Sequence, residues 1–348
     1  GRKAVAITAG FSHTCAILDN GSAMCWGQGQ QGNLGNGGYS DSSTPTQVSL
    51  PSGRTAIAIA GGTDHTCAIL DNASIVCWGH NIYGQTGVPG GGSNQVQTTP
   101  VDVDLGLGRH AVAITSGGSH SCAVLDDASM KCWGSNSNGQ LGTGDNADSN
   151  SPELVSGTNM YSVVTAGSGH TCAILDDSSI KCWGANSEGQ LGIGTTSSQN
   201  TPTASAVGLD VLAISAGGEH TCLITADDLS NSRTTKCWGD NTFGQLGDGT
   251  TTDKYRPIKM TGWDPVANNG IAVFMCEGNE EDTWVVILDG NGYTHWCGEN
   301  NYGNFGNGTI TNTTTFTKNE TTPNGDIVDI WIQYYNGYKS GYFRTKDG

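Results

Sequence analysis

One phrase, repeated along the chain, restricts the fold more than any other feature. HTCAILDNGSAMCWG runs from His13 to Gly27, and returns as HTCAILDNASIVCWG from His65, HSCAVLDDASMKCWG from His120 and HTCAILDDSSIKCWG from His170. A fifth copy starts at His220 and reaches KCWG at Gly239 after a short insertion. Self-similarity at a spacing of about fifty residues marks an array of supersecondary units that bury their faces against one another. Each copy follows a small, β-branched segment such as AVAITAG from Ala4, AIAIAGG from Ala56 or AVAITSGG from Ala111. Each precedes a Gly-rich turn (GNLGNG, GQTG, GQLGTG, GQLGIG, GQLGDG) and a segment led by Pro, such as TPTQV, TPVDV or SPELV. Four short strands per unit are expected.

The rest of the composition agrees. Glycine supplies 53 of 348 residues and charged residues only 14%, which disfavours long helices and favours tight turns between strands. The length would allow two ordinary domains, but closed all-β architectures often run this long as one. A single domain is expected, with repeats near 1–52, 53–107, 108–157, 158–207, 208–262 and 263–325 and a partial one at 326–348.

Ten of the twelve cysteines pair by position: Cys15 with Cys25, Cys67 with Cys77, Cys122 with Cys132, Cys172 with Cys182, and Cys222 with Cys237. A hairpin loop at Asp19, Asn20 and Gly21, with Gly21 left-handed, would set Cys15 opposite Cys25 within reach of a disulfide. Zinc would need cysteines two to four residues apart and four converging ligands, which a hairpin with this spacing does not offer. Disulfides imply an oxidising compartment, so an extracellular location is expected, secreted or at the cell surface.

The sixth unit departs from the pattern. It reads DTWVVILDGNGYTHWCG, with Val285 at the place of the first cysteine and Trp296 and Cys297 in swapped order. Elimination leaves Cys276 to pair with Cys297, in a bridge between different strands. Asn307, Asn312 and Asn319 fit the N-glycosylation pattern in one polar stretch, and Asn20 and Asn72 fit it inside tight hairpin loops.

A four-stranded unit cannot cover both its faces alone, so radial stacking about an axis is the natural solution. Alternation in AVAITAG suits a crowded inner strand, and Trp26, Trp78, Trp133, Trp183 and Trp238 are expected to wedge between successive blades. The order AGG…H…A…L…G…CWG…N…GQLG resembles the repeats of the regulator of chromosome condensation. That resemblance covers nearly the whole chain and implies a seven-bladed β-propeller of four-stranded antiparallel blades, with the last blade incomplete here. The seventh would begin at DIVDIWIQ from Asp326 and continue at GYFRTKDG from Gly341. The chain opens at Gly1 without a leader, so a processed chain or a fragment of a longer polypeptide with neighbouring domains is expected.

Candidates for chemistry are few. His13, His65, His120, His170 and His220 would form a ring, but the same residue in every blade reads as a structural hydrogen bond, whereas a catalytic site needs different residues converging once. Asp282 falls near that position in the sixth unit. Asp19, Asp71, Asp126 and Asp176 are expected to cap their hairpin loops. Asp145, Asp248 and Asp253 suggest at most weak Ca2+ binding, since the alternating acidic pattern of a dedicated loop is missing. The sequence contains no nucleophile elbow, Walker loop or dinucleotide fingerprint, so no catalytic residues, cofactor or metal are expected.

The formal charge is −17, which excludes a phosphate backbone as the natural partner, and no apolar run reaches the roughly 18 to 20 residues of a membrane-spanning helix. The leading expectation is a non-enzymatic interaction module that binds a protein or glycan through propeller faces and loops. The loops from Val88, Thr225 and Thr261, and the aromatic group Trp331, Tyr334, Tyr335, Tyr338, Tyr342 and Phe343, are the irregular candidates for contact. A structural subunit of an extracellular filament, sheath or appendage is the alternative, and a polysaccharide-acting enzyme ranks third. In the family resembled, exchange factors, photoreceptors and secreted β-lactamase inhibitors act through surface contacts, but a nuclear exchange role fits poorly with disulfides and the lack of a basic tail.

Overall fold

The computed structural model describes residues 2–88, 96–206, 210–227, 232–261, 272–275, 284–288, 293–301, 303, 305, 307–318, 327–335 and 338–345. The first blade consists of β1 (Ala4–Ala9), β2 (His13–Leu18), β3 (Ala23–Gly27) and β4 (Ser42–Gln47). The second has β5 (Ala56–Gly61), β6 (His65–Leu70), β7 (Ile75–His80) and β8 (Val96–Val103), and the third β9 (Ala111–Ser116), β10 (His120–Leu125), β11 (Met130–Gly134) and β12 (Ser149–Leu154). The fourth comprises β13 (Tyr161–Ala166), β14 (His170–Leu175), β15 (Ile180–Gly184) and β16 (Gln199–Ala204), and the fifth β17 (Val211–Ala216), β18 (His220–Asp227), β19 (Ser232–Gly239) and β20 (Lys254–Lys259). The sixth holds β21 (Ala272–Met275), β22 (Trp284–Leu288), β23 (Thr294–Gly298) and β24 (Thr313–Lys318), and β25 (Ile327–Tyr335) pairs with β26 (Tyr338–Thr345).

Every blade is an antiparallel meander in which consecutive strands are neighbours. The first strands stand side by side: β1 lies against β5, β5 against β9, β9 against β13, β13 against β17 and β17 against β21. β25 meets β21 on one side and β1 on the other, which closes the ring. The expected seven-bladed propeller is therefore corrected to six four-stranded blades and one two-stranded sheet, because only β25 and β26 follow β24 among the described residues.

The core lies between blades rather than inside them. One cluster joins Cys122, Val124, Met130, Cys132 and Leu141 of the third blade to Tyr161, Ala173, Leu175 and Trp183 of the fourth, and the interfaces between the first and second, second and third, fourth and fifth, and fifth and sixth blades repeat the scheme. Gly142 shows how tight this is. Its φ is +71°, and a Cβ there would stand 2.7 Å from Trp183 Nε1. Gly142→Ala is expected to lower the unfolding free energy by about 2–3 kcal/mol, through left-handed strain plus overpacking, read as a shifted urea midpoint at constant slope.

Within each hairpin the register places the cysteines face to face, as in Cys15 opposite Cys25 and Cys122 opposite Cys132. All five hairpin bridges are formed, and their ten cysteines are fully buried. Gly21 is left-handed as the turn demands, and Ala73, Ala128 and Ser178 adopt the same conformation with φ near +60°. Ala128→Gly is accordingly expected to raise stability by about 0.5–1 kcal/mol, seen as a higher Tm.

Register corrects the reading of the sixth unit. Trp284 opposes Gly298 and so takes the histidine place expected for Asp282, which lies outside the described residues. Val286, not Val285, opposes Trp296 at the place of the cysteine pair, and Val285 opposes Cys297. Cys297 carries a buried free thiol, which corrects the expected bridge to Cys276; Cys276 itself falls outside the described residues. The physical reason is register: Cys297 stands where the other blades have tryptophan, and Phe316 fills the lost indole volume over Gly247. Aromatic packing occupies the position of the missing bridge, with the Trp284 and Trp296 rings stacked at 4.9 Å.

Candidate functional site

The histidine ring is structural, and its protonation follows from its partners. His120 Nε2 lies 2.9 Å from Thr171 Oγ1 of the next blade, and that hydroxyl donates its own proton to the Gln140 carbonyl at 2.8 Å. The hydroxyl can then only accept, so Nε2 carries the imidazole hydrogen. His65 with Ser121 and Gln85, and His170 with Thr221 and Gln190, repeat the arrangement, and His13 reaches Thr66 Oγ1 at 2.7 Å. Each Nδ1 is buried with no hydrogen-bond partner. Burial pushes His13, His120 and His220 down to about 4 and His65 and His170 to about 3, so all five are neutral near pH 7. The glycine before each histidine is required as well, since a methyl on Gly117 would collide with the His120 ring.

Tryptophan clamps the same carbonyls. The indoles of Trp78, Trp133, Trp183 and Trp238 donate to the carbonyls of Asn33, Gln85, Gln140 and Gln190 in the preceding blade, at 2.8–3.0 Å. In the sixth blade the Cys297 thiol donates to the Gln245 carbonyl at 3.1 Å, taking the role of the absent indole, and burial raises its pKa well above the usual thiol value. A third element, present in the CWG…N…GQLG order but given no role there, is the buried asparagine three residues after each of these tryptophans. Asn136 Oδ1 accepts from Leu141 N, and Asn186 and Asn241 do the same for Leu191 and Leu246, tying the GQLG turn. Its recurrence at fixed distance from CWG was the available signal.

The acidic residues divide differently from expectation. The hairpin loops are capped by the residue after the expected one: Asn20, Asn72, Asp127 and Asp177 accept from Ser22, Ser74, Ser129 and Ser179. Those serine hydrogen bonds hold the Asp127 and Asp177 carboxyls below the usual carboxylate range. Asp19, Asp71 and Asp126 instead face Arg2, Arg54 and Arg109 at 3.4–3.6 Å, and Asp176 is exposed. Among the calcium candidates, Asp145 and Asp253 accept turn hydrogen bonds from Ala147 and Asn241, and Lys254 Nζ sits 2.9 Å from Asp248. No group of three metal-ligating side chains occurs among the described residues.

Asn307 and Asn312 lie in the loop before β24, where their Oδ1 atoms accept from Thr309 and Asn300; Asn319 lies outside the described residues. So do residues 89–95, 228–231 and 262–270 of the loops from Val88, Thr225 and Thr261, and nothing is described of the C-terminal aromatic side chains. Exposed apolar residues gather at the two ends of the ring. Ile82, Tyr83 and Ile310 belong to the turns after the third strands, whereas Leu107 and Met160 belong to the connections that precede the first strands. Near that second end a cleft of about 530 Å3 opens between Asn20, Ser22 and the segment Gln47 to Thr55.

A ring of four-stranded blades, stitched by an identical histidine, hydroxyl and carbonyl chain at three successive interfaces, defines a repeat propeller. Models of the regulator of chromosome condensation (RCC1) repeat match residues 20–69, 74–124, 132–174 and 182–224, and a second form of the repeat matches 4–33, 56–85, 111–140 and 162–190. The chain belongs to the RCC1 repeat family. It is 35% identical over 155 residues to the ultraviolet-B receptor UVR8 of Arabidopsis thaliana, and 32% identical over 165 residues to the protein pim1 of Schizosaccharomyces pombe. Each match covers 44% of this chain, but only 34% and 30% of those proteins. Yeast RCC1 (Prp20), solved bound to Kap60, superposes with a TM-score of 0.80 at 20% identity over 99% of this chain and 81% of the other. Human WBSCR16 gives the same TM-score and identity over 96% of this chain and 85% of its own. These superpositions show the fold.

Proposed function

We propose that this chain is a non-enzymatic interaction module, exported from the cell, that binds a protein or glycan through the ends of the propeller. One observation carries the reading: the five repeated histidines are fully buried and neutral, and His13, His65, His120 and His170 are bonded to a hydroxyl of the next blade, so they offer no chemistry to a ligand. Exposed apolar residues and aspartates stand at the ends of a rigid scaffold, the usual setting for recognition. The relatives fit this, since Prp20 is solved bound to Kap60 and has described binding to Gsp1p and histones. Five disulfides favour an oxidising compartment. Export also makes sense of the sequons, as glycan sites on the loop before β24.

The test is a screen of the immobilised intact chain against a displayed peptide library and a glycan array, followed by hydrogen exchange with any ligand bound. Retention of a ligand, with protection at strand ends and loops, is expected. Turnover of a saccharide or peptide with no retained ligand would overturn the reading.

A further inference from the structure

Resting on that interaction-module reading, we propose that the end of the ring where the first strands begin is a docking surface. Its occupant is a partner protein segment that carries an aliphatic or aromatic side chain flanked by Lys or Arg.

The first strands are bulged at their starts in five consecutive blades. Ala4 and Ala6 of β1 pair with the adjacent residues Leu18 and Ile17, which leaves Val5 as the extra residue. Ile57, Val112, Ser162 and Leu212 are left over in the same way in β5, β9, β13 and β17. A bulge re-aims a side chain and interrupts pairing, and bulges are over-represented next to functional sites. Here they turn Val5, Ile57, Val112 and Leu212 out to exposures of 48%, 61%, 61% and 50%, with Val163 beside Ser162 at 40%. Scattered exposed aliphatics need no explanation. These aliphatics recur at one register position of strands that stand side by side, with Val163 next to the position held by Ser162, and such a gathering of exposed apolar residues marks a contact surface.

Charge selects the partner. The backbone N–H groups of Asp19, Asp71, Asp126 and Asp176 donate to the carbonyls of Lys3, Thr55, His110 and Met160, each two residues before an extra residue. In the fifth blade Asp210 itself stands two residues before Leu212. Every bulge thus has an aspartate beside it. Arg2, Arg54 and Arg109 pair with these acids in the first three blades. In the fourth and fifth, no cation lies within 4 Å of Asp176, Asp177 or Asp210 among the described residues, and the nearby Lys181 ammonium is bound to Asn159 Oδ1. The sector of Met160, Val163 and Leu212 is therefore apolar and negative on a chain of charge −17. Such a surface repels acidic segments and steers basic ones, while the apolar anchor holds the complex.

The experiment uses fluorescence anisotropy with the intact chain and a short labelled peptide in which two Leu are flanked by Lys. A Leu/Glu peptide and a Ser/Lys peptide serve as probes of the two requirements. Expected is saturable binding of the Leu/Lys peptide alone, weakened by salt. The combined variant Ile57→Ser, Val112→Ser and Leu212→Ser should lose at least about tenfold in affinity while keeping its melting profile, since these side chains are exposed. Asp176→Asn with Asp210→Asn should flatten the salt dependence. Equal binding of the Leu/Glu peptide, or unchanged affinity of the triple variant, would overturn the proposal. So would sedimentation showing a dimer dispersed by the triple variant, which would assign the patch to a second copy of this chain. If Ile82→Ser with Tyr83→Ser abolishes binding and the triple variant does not, this surface is refuted while the interaction-module reading survives. That reading fails only if the library and array screen retains nothing and turnover is found.

Discussion

Between about pH 7 and about pH 5 the protein is expected to lose most of its folding stability, because five histidines are held neutral in the fold and are free to charge once it opens. Their pKa values stand at about 3 to about 4 in the folded chain, against 6.5 as the ordinary value. The unfolded chain binds more protons throughout that window, so stability is complete above about pH 6.5 and falls as acid is added. Each histidine withdraws roughly 2 kcal/mol by pH 5, and the sum is comparable with the whole stability of an ordinary domain. Surface charge pulls the other way. At −17 the chain repels itself near pH 7, and acid relieves that repulsion. The two effects predict opposite slopes, and burial decides between them, since exposed charges are screened by water and salt while the rings are not. A scanning calorimeter should show Tm dropping steadily from pH 7 towards pH 5; a flat or rising Tm would mean the rings are hydrated or differently bonded.

Loss of a hairpin bridge is the second large effect. Cys122→Ala with Cys132→Ala should lower the unfolding free energy by about 3 kcal/mol, the chain-entropy value for an eleven-residue loop. Further loss follows from the space left between Val124, Leu141 and Trp183 in the same cluster. Because the sulfurs are fully buried, reductant should act on the native protein only through its unfolding. Urea melts with and without reductant check this, and coincident midpoints would show that the bridges contribute nothing.

Strand number, hairpin register and the five bridges could be read from the repeated phrase because spacing alone determines which cysteines face each other. The sixth blade could not. Once the cysteine pair is lost, nothing local in DTWVVILDGNGYTHWCG says which residue faces which, and the register emerges from Gly298 opposite Trp284 and from Phe316 covering Gly247. The asparagine of each GQLG turn was visible as a recurrence, yet its role depends on a carboxamide reaching backbone groups up to eleven residues away. The bulges were hidden for a similar reason: Val5, Ile57 and Val112 look like ordinary alternating strand residues until pairing shows them to be extra.

The recurring side chains build the ring, and the proposed recognition falls to its ends. Nitrogen-15 NMR of the histidine rings tests it most directly. Nε2–H tautomers are expected for His65, His120 and His170, with no titration of the five repeat histidines at any pH where the protein remains folded. A repeat histidine that titrates near its ordinary value in the folded state, or an Nδ1–H tautomer at His65, His120 or His170, would contradict it.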